Sequence, residues 1–377
     1  MKKNKLCLLF AIILLSFLLL FSCQNNNPQQ IKNIIIMIGD GMGPEQEEAA
    51  RIYSGEALAW DSFTYSGTVI TNNVFGEVTD SAAAGTALST GFKTSKWRIK
   101  RDKDGNDLFG IMDYAQEAGK RTGVITSKFL YDATPAAFSA YADKRQDYEV
   151  IKSSQIESGI DLLIGEALKS GEANYDAYQT EIIDAGYEYI TDGNLLDDYS
   201  DVEKIFAPIS SIVPEATEQN QFELESLVEF SLDFLDCEEG FVLMVEGGKI
   251  DDACHQMNIE KTLNELLAFH RAVNIVLEWA ENRDDTIIIV TADHETGGLF
   301  LLPGVSADNI LSGNYVVWDS SGAEAPHTST PVNYYIYGVR GANIIKLLED
   351  LEISENSNTE IDNTDIFNIC KTLLEYS

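Results

Sequence analysis

Acidic and histidine side chains stand beside four apolar runs of this 377-residue chain. Asp40 follows IIIMIG, Glu246 follows FVLMV, and Asp293 with His294 follow IIIVTA. His327 comes shortly before NYYIYG. An unpaired buried charge is costly, so carboxylates at such places need a cation. Carboxylates with imidazoles suit zinc, and carboxylates with hydroxyls suit magnesium, so the pattern predicts metal chemistry.

Each of these residues has a plainer interpretation when it is taken alone. A single acid after a strand commonly caps a helix, and an Asp-His pair is commonly a surface feature. Asp251 and His255 are four residues apart and would share one helix face, which is a frequent spacing. Three of the four histidines fall in these clusters, which favours a site over coincidence. His270 lies within a predicted helix, and we interpret it as structural.

The elements that must position these residues are apolar strands that alternate with helices. The clearest helix is predicted over 259–281, and the apolar runs predict strands at 32–39, 121–127, 161–165, 240–248, 286–294 and 333–339. Buried strands that alternate with helices indicate an α/β fold of three layers, α/β/α, with a central, mostly parallel sheet. In such folds ligands bind outside the carboxyl ends of the strands.

The start of the chain predicts export. Residues 1–22 combine the basic MKKNK with an apolar run of 16 residues, Leu6 to Phe21, as signal peptides do. LFSC at 20–23 resembles a bacterial lipobox, which implies cleavage before Cys23, acylation of Cys23 and a membrane-anchored lipoprotein. The alternative is an uncleaved anchor, although the run is shorter than the roughly 20 residues that span a bilayer. Both interpretations predict a protein that is tethered to a membrane on the periplasmic or cell-surface side. Residues 23–31 would form a polar tether, and residues 32–377 would form one domain.

The charge composition of the chain indicates which classes of binding partner are unfavourable. The chain has 26 basic and 61 acidic residues, a net charge of −35, which argues against nucleic acid. An anionic substrate would need local cations to offset this field. Cys237, Cys254 and Cys370 are too scattered to predict a disulfide framework, and a single bridge stays open.

Six motifs in sequence order resemble those of the alkaline phosphatase family. They are GDGMG (39–43), VTDSAAAGTALSTG (78–91), DATPAAF (132–138) with Arg145, the stretch from Glu246 to His255, TADHETGG (291–298) and HTSTPV (327–332). The resemblance covers most of the chain. It implies an alkaline-phosphatase-like catalytic domain that hydrolyses small phosphate monoesters.

The resemblance identifies Ser81 as the nucleophile that would form a phosphoserine intermediate. Ser81 would begin a helix that extends to about Ser89, where free N–H groups favour a phosphate and small residues allow close approach. By itself the same stretch predicts only a helix N-cap. The resemblance also implies that Arg145 binds two phosphoryl oxygens with its fork of donors.

The resemblance implies two zinc ions and one magnesium ion. Carried over by position, one zinc would be held by Asp251, His255 and His327, the second by Asp40, Asp293 and His294 beside Ser81, and the magnesium by Asp40, Thr134 and Glu246. Two such zinc ions can act on the attacking and leaving oxygens of one displacement.

Three positions near these motifs need separate expectations. Asp132 fits the family variant in which an acid orients magnesium-bound waters. Asp252 stands where many relatives have a cation or an aromatic residue, so it is expected either to weaken phosphate binding or to alter the third metal site. Cys254 would point about 100° away from His255 on a helix, which predicts packing rather than metal binding.

Other functions stay open from the sequence. The nearest alternative is a phosphodiesterase or sulfatase of the same superfamily, or a phosphate-transferring mutase. A catalytically idle lipoprotein that binds metal or phosphate is a further alternative, although it would not need an activated Ser81. Homodimers are common in the family, so a homodimer is admitted, but no interface is visible in the sequence.

Overall fold

The computed structural model describes residues 31–167, 175–216, 221–319, 322–339, 342–355 and 358–375. The predicted signal peptide, Cys23 and the tether up to residue 30 lie outside these ranges. None of the helices within the described ranges combines the length and hydrophobicity that a bilayer crossing requires.

Fourteen strands occur in the described residues. In chain order they are β1 Asn33–Gly39, β2 Tyr65–Ile70, β3 Arg121–Phe129, β4 Leu162–Glu166, β5 Glu188–Tyr189, β6 Ile205–Ile209, β7 Phe241–Gly247, β8 Thr286–Thr291, β9 Glu295–Thr296, β10 Phe300–Leu301, β11 Val316–Val317, β12 His327–Thr328, β13 Val332–Tyr337 and β14 Thr359–Asp362.

Ten of these strands form one sheet in the order β14-β2-β13-β8-β1-β7-β3-β4-β6-β5. Of the described strands in this sheet, only β13 runs antiparallel to its neighbours. The predicted α/β fold with a mostly parallel sheet is therefore confirmed. Two smaller sheets pair β10 with β11 and β9 with β12.

Helices flank the sheet. They are α1 Pro44–Ser54, α2 Ser81–Thr90, α3 Ile111–Glu117, α4 Ala133–Ser139, α5 Tyr148–Glu157, α6 Gln179–Asp184, α7 Leu224–Leu235, α8 Lys249–His255, α9 Ile259–Ala280, α10 Ala342–Asp350 and α11 Asn363–Glu375, with short 3-10 helices at Ala59–Ser62, Tyr175–Tyr178, Gly193–Tyr199 and Ile310–Ser312. The long predicted helix is α9, which buries Leu263, Leu266, Phe269, Val273 and Val276 at helical spacing.

The three central strands explain where the site forms. Every residue of β1, β7 and β8 is buried, as expected for strands covered on both faces. Ile38 of β1 lies opposite Glu246 of β7 on one side and Thr291 of β8 on the other. Because all three strands run in the same direction, the residues that end them meet at one edge of the sheet.

Cys237, Cys254 and Cys370 are free thiols. The single disulfide bridge that the sequence left open is therefore absent from the described residues.

Candidate active site

Four predicted metal ligands lie at the carboxyl edge of the central strands. Asp40 comes directly after β1, Glu246 is the sixth residue of β7, and Asp293 and His294 follow β8. All four side chains are buried. The register of the parallel strands thus brings together residues that are more than 200 positions apart in the sequence.

Asp40, Asp293 and His294 form one group that could hold a metal ion. Their ligand atoms lie within 4.8 Å of one another. His294 Nε2 is 3.2 Å from Asp293 Oδ2 and 3.6 Å from Asp40 Oδ1. This group matches the three residues predicted for the second zinc.

Asp251, His255 and His327 converge beside that group. Asp251 and His255 share one face of α8, and their closest atoms are 3.3 Å apart. His327 Nε2 lies 3.1 Å from His255 Nε2 and 3.6 Å from Asp251 Oδ1. The atoms of Asp251, His294 and His327 also lie within 4.8 Å of one another, so His294 is within reach of both groups.

All three histidines turn Nε2 into the site because Nδ1 is held by another group. The Nδ1 partners are the Ala325 carbonyl for His255 at 2.6 Å, the Thr79 carbonyl for His327 at 3.2 Å and the Thr296 hydroxyl for His294 at 3.2 Å. A histidine that ligates a metal commonly donates its other ring N–H in this way, which fixes the ring and its tautomer.

The residues predicted for magnesium carry oxygens without protein partners. Asp40 Oδ1, Thr134 Oγ1 and Glu246 Oε1 are buried, and none of them has a hydrogen-bond partner in the described ranges. The other oxygen of Glu246 accepts a short hydrogen bond from Thr126. Thr126 is a residue that the sequence reasoning missed, because a hydroxyl inside an apolar strand carries no signal of its own.

The pKa shifts describe a site with too much buried negative charge. Burial raises the pKa of Glu246 to about 8. Burial and the nearby Asp251 raise the pKa of Asp293 to about 6, and burial with the Asp293 charge raises the pKa of Asp40 well above its ordinary value. Such carboxylates favour a proton or a cation in their midst.

The pKa values of the three histidines shift in two directions. Burial lowers the pKa values of His294 and His327 to about 4, so both rings are neutral and able to donate a lone pair. The hydrogen bond that His255 donates to the Asp251 carboxylate raises the pKa of His255 to about 9.

This donor set fits metal cations. Buried carboxylate oxygens that lack a partner, Asp293 Oδ2 among them, are costly unless a positive charge compensates them. The mixed imidazole and carboxylate groups suit zinc, and the oxygen-only set suits magnesium.

Ser81 stands at the first residue of α2, next to the metal-ligand groups. Its Oγ lies 3.3 Å from His294 Nε2. The helix start is capped by Asp80, whose carboxylate accepts the N–H of Ala83 at 3.1 Å. Since Asp80 fills the capping role, the Ser81 hydroxyl is left for chemistry, and the plain N-cap interpretation of Ser81 is wrong.

Arg145 approaches the same helix start from the other side. Its guanidinium lies 3.1 Å from Asp132 Oδ1 and 3.6 Å from Asp80 Oδ2. Burial alone would raise the pKa of the Asp132 carboxyl, but Lys128 and Arg145 outweigh it and hold that pKa well below its usual range. Asp132 therefore stays charged and orients the guanidinium.

Lys128 is the most informative residue that the sequence reasoning missed. Its ammonium lies 3.0 Å from both Asp132 Oδ2 and Asp252 Oδ1. Burial alone would lower the pKa of Lys128, but the surrounding carboxylates, Asp132 first, raise it. Asp252 is thus paired with Lys128, a cation that it shares with Asp132. The available signal was the spacing of four between Lys128 and Asp132.

Cys254 and His270 lie outside this constellation, in keeping with their predicted roles. Cys254 is buried on α8 with its Sγ near Thr262 and Gln46, at 3.7 Å and 3.9 Å. His270 accepts the backbone N–H of Ala59 at 2.9 Å.

Comparison with known proteins identifies the family of the chain that carries this site. A family model described as "Alkaline phosphatase" matches residues 31–175 and 179–367. The chain belongs to the alkaline phosphatase family. It is 31% identical over 312 residues to Alkaline phosphatase 3 of Bacillus subtilis, and the match covers 77% of this chain. It is 27% identical to the alkaline phosphatase of Escherichia coli, over 85% of this chain and 84% of that one.

Solved alkaline phosphatases share the fold. The crystal structure of a cold-active alkaline phosphatase from Shewanella sp. superposes with a TM-score of 0.77 at 28% identity, covering 91% of this chain and 99% of that chain. The chain spans just under two thirds of the length of the first curated relatives, 65% of Alkaline phosphatase 3 and 64% of Alkaline phosphatase 4 from Bacillus subtilis.

Proposed function

We propose that this member of the alkaline phosphatase family hydrolyses phosphate monoesters to an alcohol and inorganic phosphate through a phosphoserine on Ser81. The observation that carries the proposal is the position of Ser81 Oγ, 3.3 Å from His294 Nε2 at the start of α2. There it faces both the free N–H groups of the helix and the metal-ligand groups.

The ligand groups would hold two zinc ions and one magnesium ion. One zinc would be bound by Asp251, His255 and His327, the other by Asp40, Asp293 and His294, and magnesium by Asp40, Thr134 and Glu246. When bound, these cations supply positive charge that stabilises anionic oxygens on either side of the phosphorus.

The residues of the chain carry the two displacements. Ser81 Oγ bonds to phosphorus while the bond from phosphorus to the alcohol oxygen breaks, and the proton given up by Oγ passes through solvent to that alcohol oxygen. Arg145, oriented by Asp132, binds the phosphoryl oxygens and offsets their charge. Water then attacks the phosphoserine, so that Ser81 is restored and inorganic phosphate leaves.

Charge favours a monoester over the diester and sulfate alternatives. Arg145 lies beside the start of α2, where its fork of donors can bind two oxygens of a phosphoryl group. A phosphate monoester is a dianion at alkaline pH, whereas a diester or a sulfate ester carries a single charge. The two-pronged contact that Arg145 can make is therefore better matched to the dianion.

The test is hydrolysis of 4-nitrophenyl phosphate by the full-length protein in detergent at mildly alkaline pH. We expect release of 4-nitrophenol that stops on chelation and returns with zinc and magnesium. Bis(4-nitrophenyl) phosphate and 4-nitrophenyl sulfate serve as comparisons. Faster turnover of either of these by the metal-loaded protein would refute the monoesterase and support the corresponding alternative.

We also propose that a lipid on Cys23 tethers the protein to a membrane after export, on the strength of the lipobox resemblance. Metabolic labelling with a radioactive fatty acid should mark the wild-type protein and leave Cys23→Ser unlabelled. Equal labelling of both proteins would exclude Cys23 as the modified residue.

A further inference from the structure

Trp97 is fixed to both sides of the candidate active site by its backbone. Its N–H donates to the two carboxylate oxygens of Asp80, each at 3.2 Å, and Asp80 directly precedes Ser81. Its carbonyl accepts the backbone N–H of Arg145 at 2.6 Å. Trp97 therefore bridges the start of α2 and the arginine, although none of the six family motifs includes it.

The backbone of Trp97 adopts a conformation that a large side chain avoids. Its φ is +73°, in the left-handed region that glycine enters freely and bulky residues rarely do. Of the five described non-glycine residues with positive φ, Trp97 is the only aromatic one. A costly conformation that neighbouring bonds hold in place is commonly associated with function.

The side chain of Trp97 is turned toward solvent together with that of Phe75. The two residues are 55% and 64% exposed, and both line one cavity of about 410 Å³. In the described part of the chain, neither ring packs against another aromatic ring. More than half of each residue is thus accessible to a ligand.

The cavity is more positive than the protein that surrounds it. Its charged lining consists of three cations and two acids: Lys96, Arg98, Lys144, Glu77 and Asp143. The whole chain has 26 basic residues against 61 acidic ones. Arg98 pairs with Asp143 at 3.2 Å, so the other charged residues of the lining are Lys96, Lys144 and Glu77. The electrostatic field at this cavity is therefore more favourable to an anionic ester than the field over most of the protein surface.

We propose that Trp97 and Phe75 form an aromatic platform for the leaving group of the substrate. This proposal rests on the proposed phosphatase activity. The platform makes the protein selective for phosphate monoesters whose leaving group carries a planar aromatic ring. The ring stacks on the indole while the phosphoryl group lies at Ser81. An aryl phosphate and a nucleoside monophosphate share this chemistry.

The test compares kcat/KM for adenosine monophosphate, 4-nitrophenyl phosphate and glycerol 2-phosphate. Trp97→Gly is the informative variant, because glycine adopts φ +73° without strain and the fold is kept. We expect the ratio of aromatic to glycerol substrate to fall about tenfold in this variant, the effect of losing one stacked ring. Phe92→Ala removes another exposed aromatic (58%) outside the cavity, and should leave the ratio unchanged.

The two aromatic substrates distinguish the source of the ring. A fall for adenosine monophosphate alone assigns the platform to nucleosides, and a fall for 4-nitrophenyl phosphate alone assigns it to aryl esters. Unchanged ratios for both in Trp97→Gly would overturn the platform while leaving the phosphatase intact.

A second readout does not depend on turnover. Adenosine should quench tryptophan fluorescence of the wild-type protein, and Trp97→Gly should lose that quenching. Quenching without hydrolysis of any phosphate ester would refute the phosphatase and retain the platform. If the protein hydrolyses phosphate esters, adenosine does not quench its fluorescence and the substrate ratios are unchanged in Trp97→Gly, the platform is refuted and the phosphatase is retained.

Discussion

Ser81 is the residue on which the proposed reaction depends. Its contacts predict that replacing it affects catalysis but not the stability of the fold. Asp80, not Ser81, caps α2, so the hydroxyl makes little contribution to the helix. The Ser81 hydroxyl contacts the Nε2 atom of His294.

Ser81→Ala should therefore lower turnover of 4-nitrophenyl phosphate by more than about a thousandfold, because no other group replaces the nucleophile. Its melting temperature should stay within about 2 °C of the wild-type value, since the helix keeps its cap. Steady-state kinetics and thermal unfolding measure the two effects. Unchanged steady-state activity would remove Ser81 from the nucleophile role.

Lys128 allows a second prediction at the scale of single residues. Lys128→Ala removes a cation that orients Asp132, so the inhibition constant of inorganic phosphate should rise. A charge-assisted hydrogen bond contributes about 1.5 kcal/mol, or roughly tenfold in affinity. Lys103→Ala is the matched control, because Lys103 is an exposed lysine that pairs with Asp104 alone.

Asp252→Asn tests the same contact from its other end. Asparagine releases Lys128 from one of its two carboxylates, so phosphate should bind several-fold more tightly. Equal inhibition constants in wild type, Lys128→Ala and Asp252→Asn would mean that Lys128 holds the loop and does not act on the phosphate.

Much of the site was predictable because its residues follow strands in recognisable motifs. Asp40, Asp293, His294 and the helical pair on α8 all lie where the sequence put them. Lys128 and Thr126 escaped notice for a physical reason. A lysine near the end of a strand is ordinarily solvated, and only the fold brings Asp252 to within 3.0 Å of Lys128.

At the scale of elements, the central strands with long apolar runs were the predictable part. Each of the six predicted strands exists, although β8 ends at Thr291 and the predicted run extended to 294. Four strands of the large sheet, β2, β5, β6 and β14, were not predicted. YSGTVI of β2 alternates in burial, TEID of β14 is short and polar, β5 has two residues, and β6 is a five-residue run that contains a proline. Gly67 of β2 lies so close to the backbone of Thr359 that a side chain there would collide.

The packing of α2 on α4 yields a prediction for the helix that carries the serine. A Cβ at Gly85 would stand 3.0 Å from Ala137 Cβ and 3.5 Å from Thr134 Cα. Gly85→Leu should destabilise the protein by about 1–3 kcal/mol through overpacking, and should lower activity by displacing Ser81 from Thr134. Gly85→Ala should be nearly neutral, since the gain in helix propensity of about 1 kcal/mol offsets the tight contact.

Urea unfolding of the two variants measures the difference. If Gly85→Leu unfolds at the wild-type urea concentration, the two helices are able to separate without cost, and the close packing does not position Ser81.

At the scale of the whole molecule, bound metal should act as a cross-link. The ligand groups come from the ends of β1, β7 and β8, from α8 and from β12, so a cation there joins distant parts of the chain. Its removal leaves buried carboxylates uncompensated.

We expect zinc with magnesium to raise the melting temperature by several degrees over the chelated protein, because a ligand at 100 times its Kd stabilises by about 2.7 kcal/mol. Ser81→Ala should respond as the wild type does, which separates metal binding from catalysis. Identical melting curves with metal and with chelator would contradict the cross-link.

The place of β1 in the sheet has a consequence for the newly made chain. β1 is the first described strand, yet it lies between β7 and β8, whose residues are synthesised more than 200 positions later. The centre of the sheet cannot close until nearly 300 residues have emerged, so early folding must proceed without it. A chain that stops before β8 leaves one edge of β1 unpaired and Asp40 without Asp293 and His294, and is a substrate for chaperones and proteases rather than a smaller enzyme.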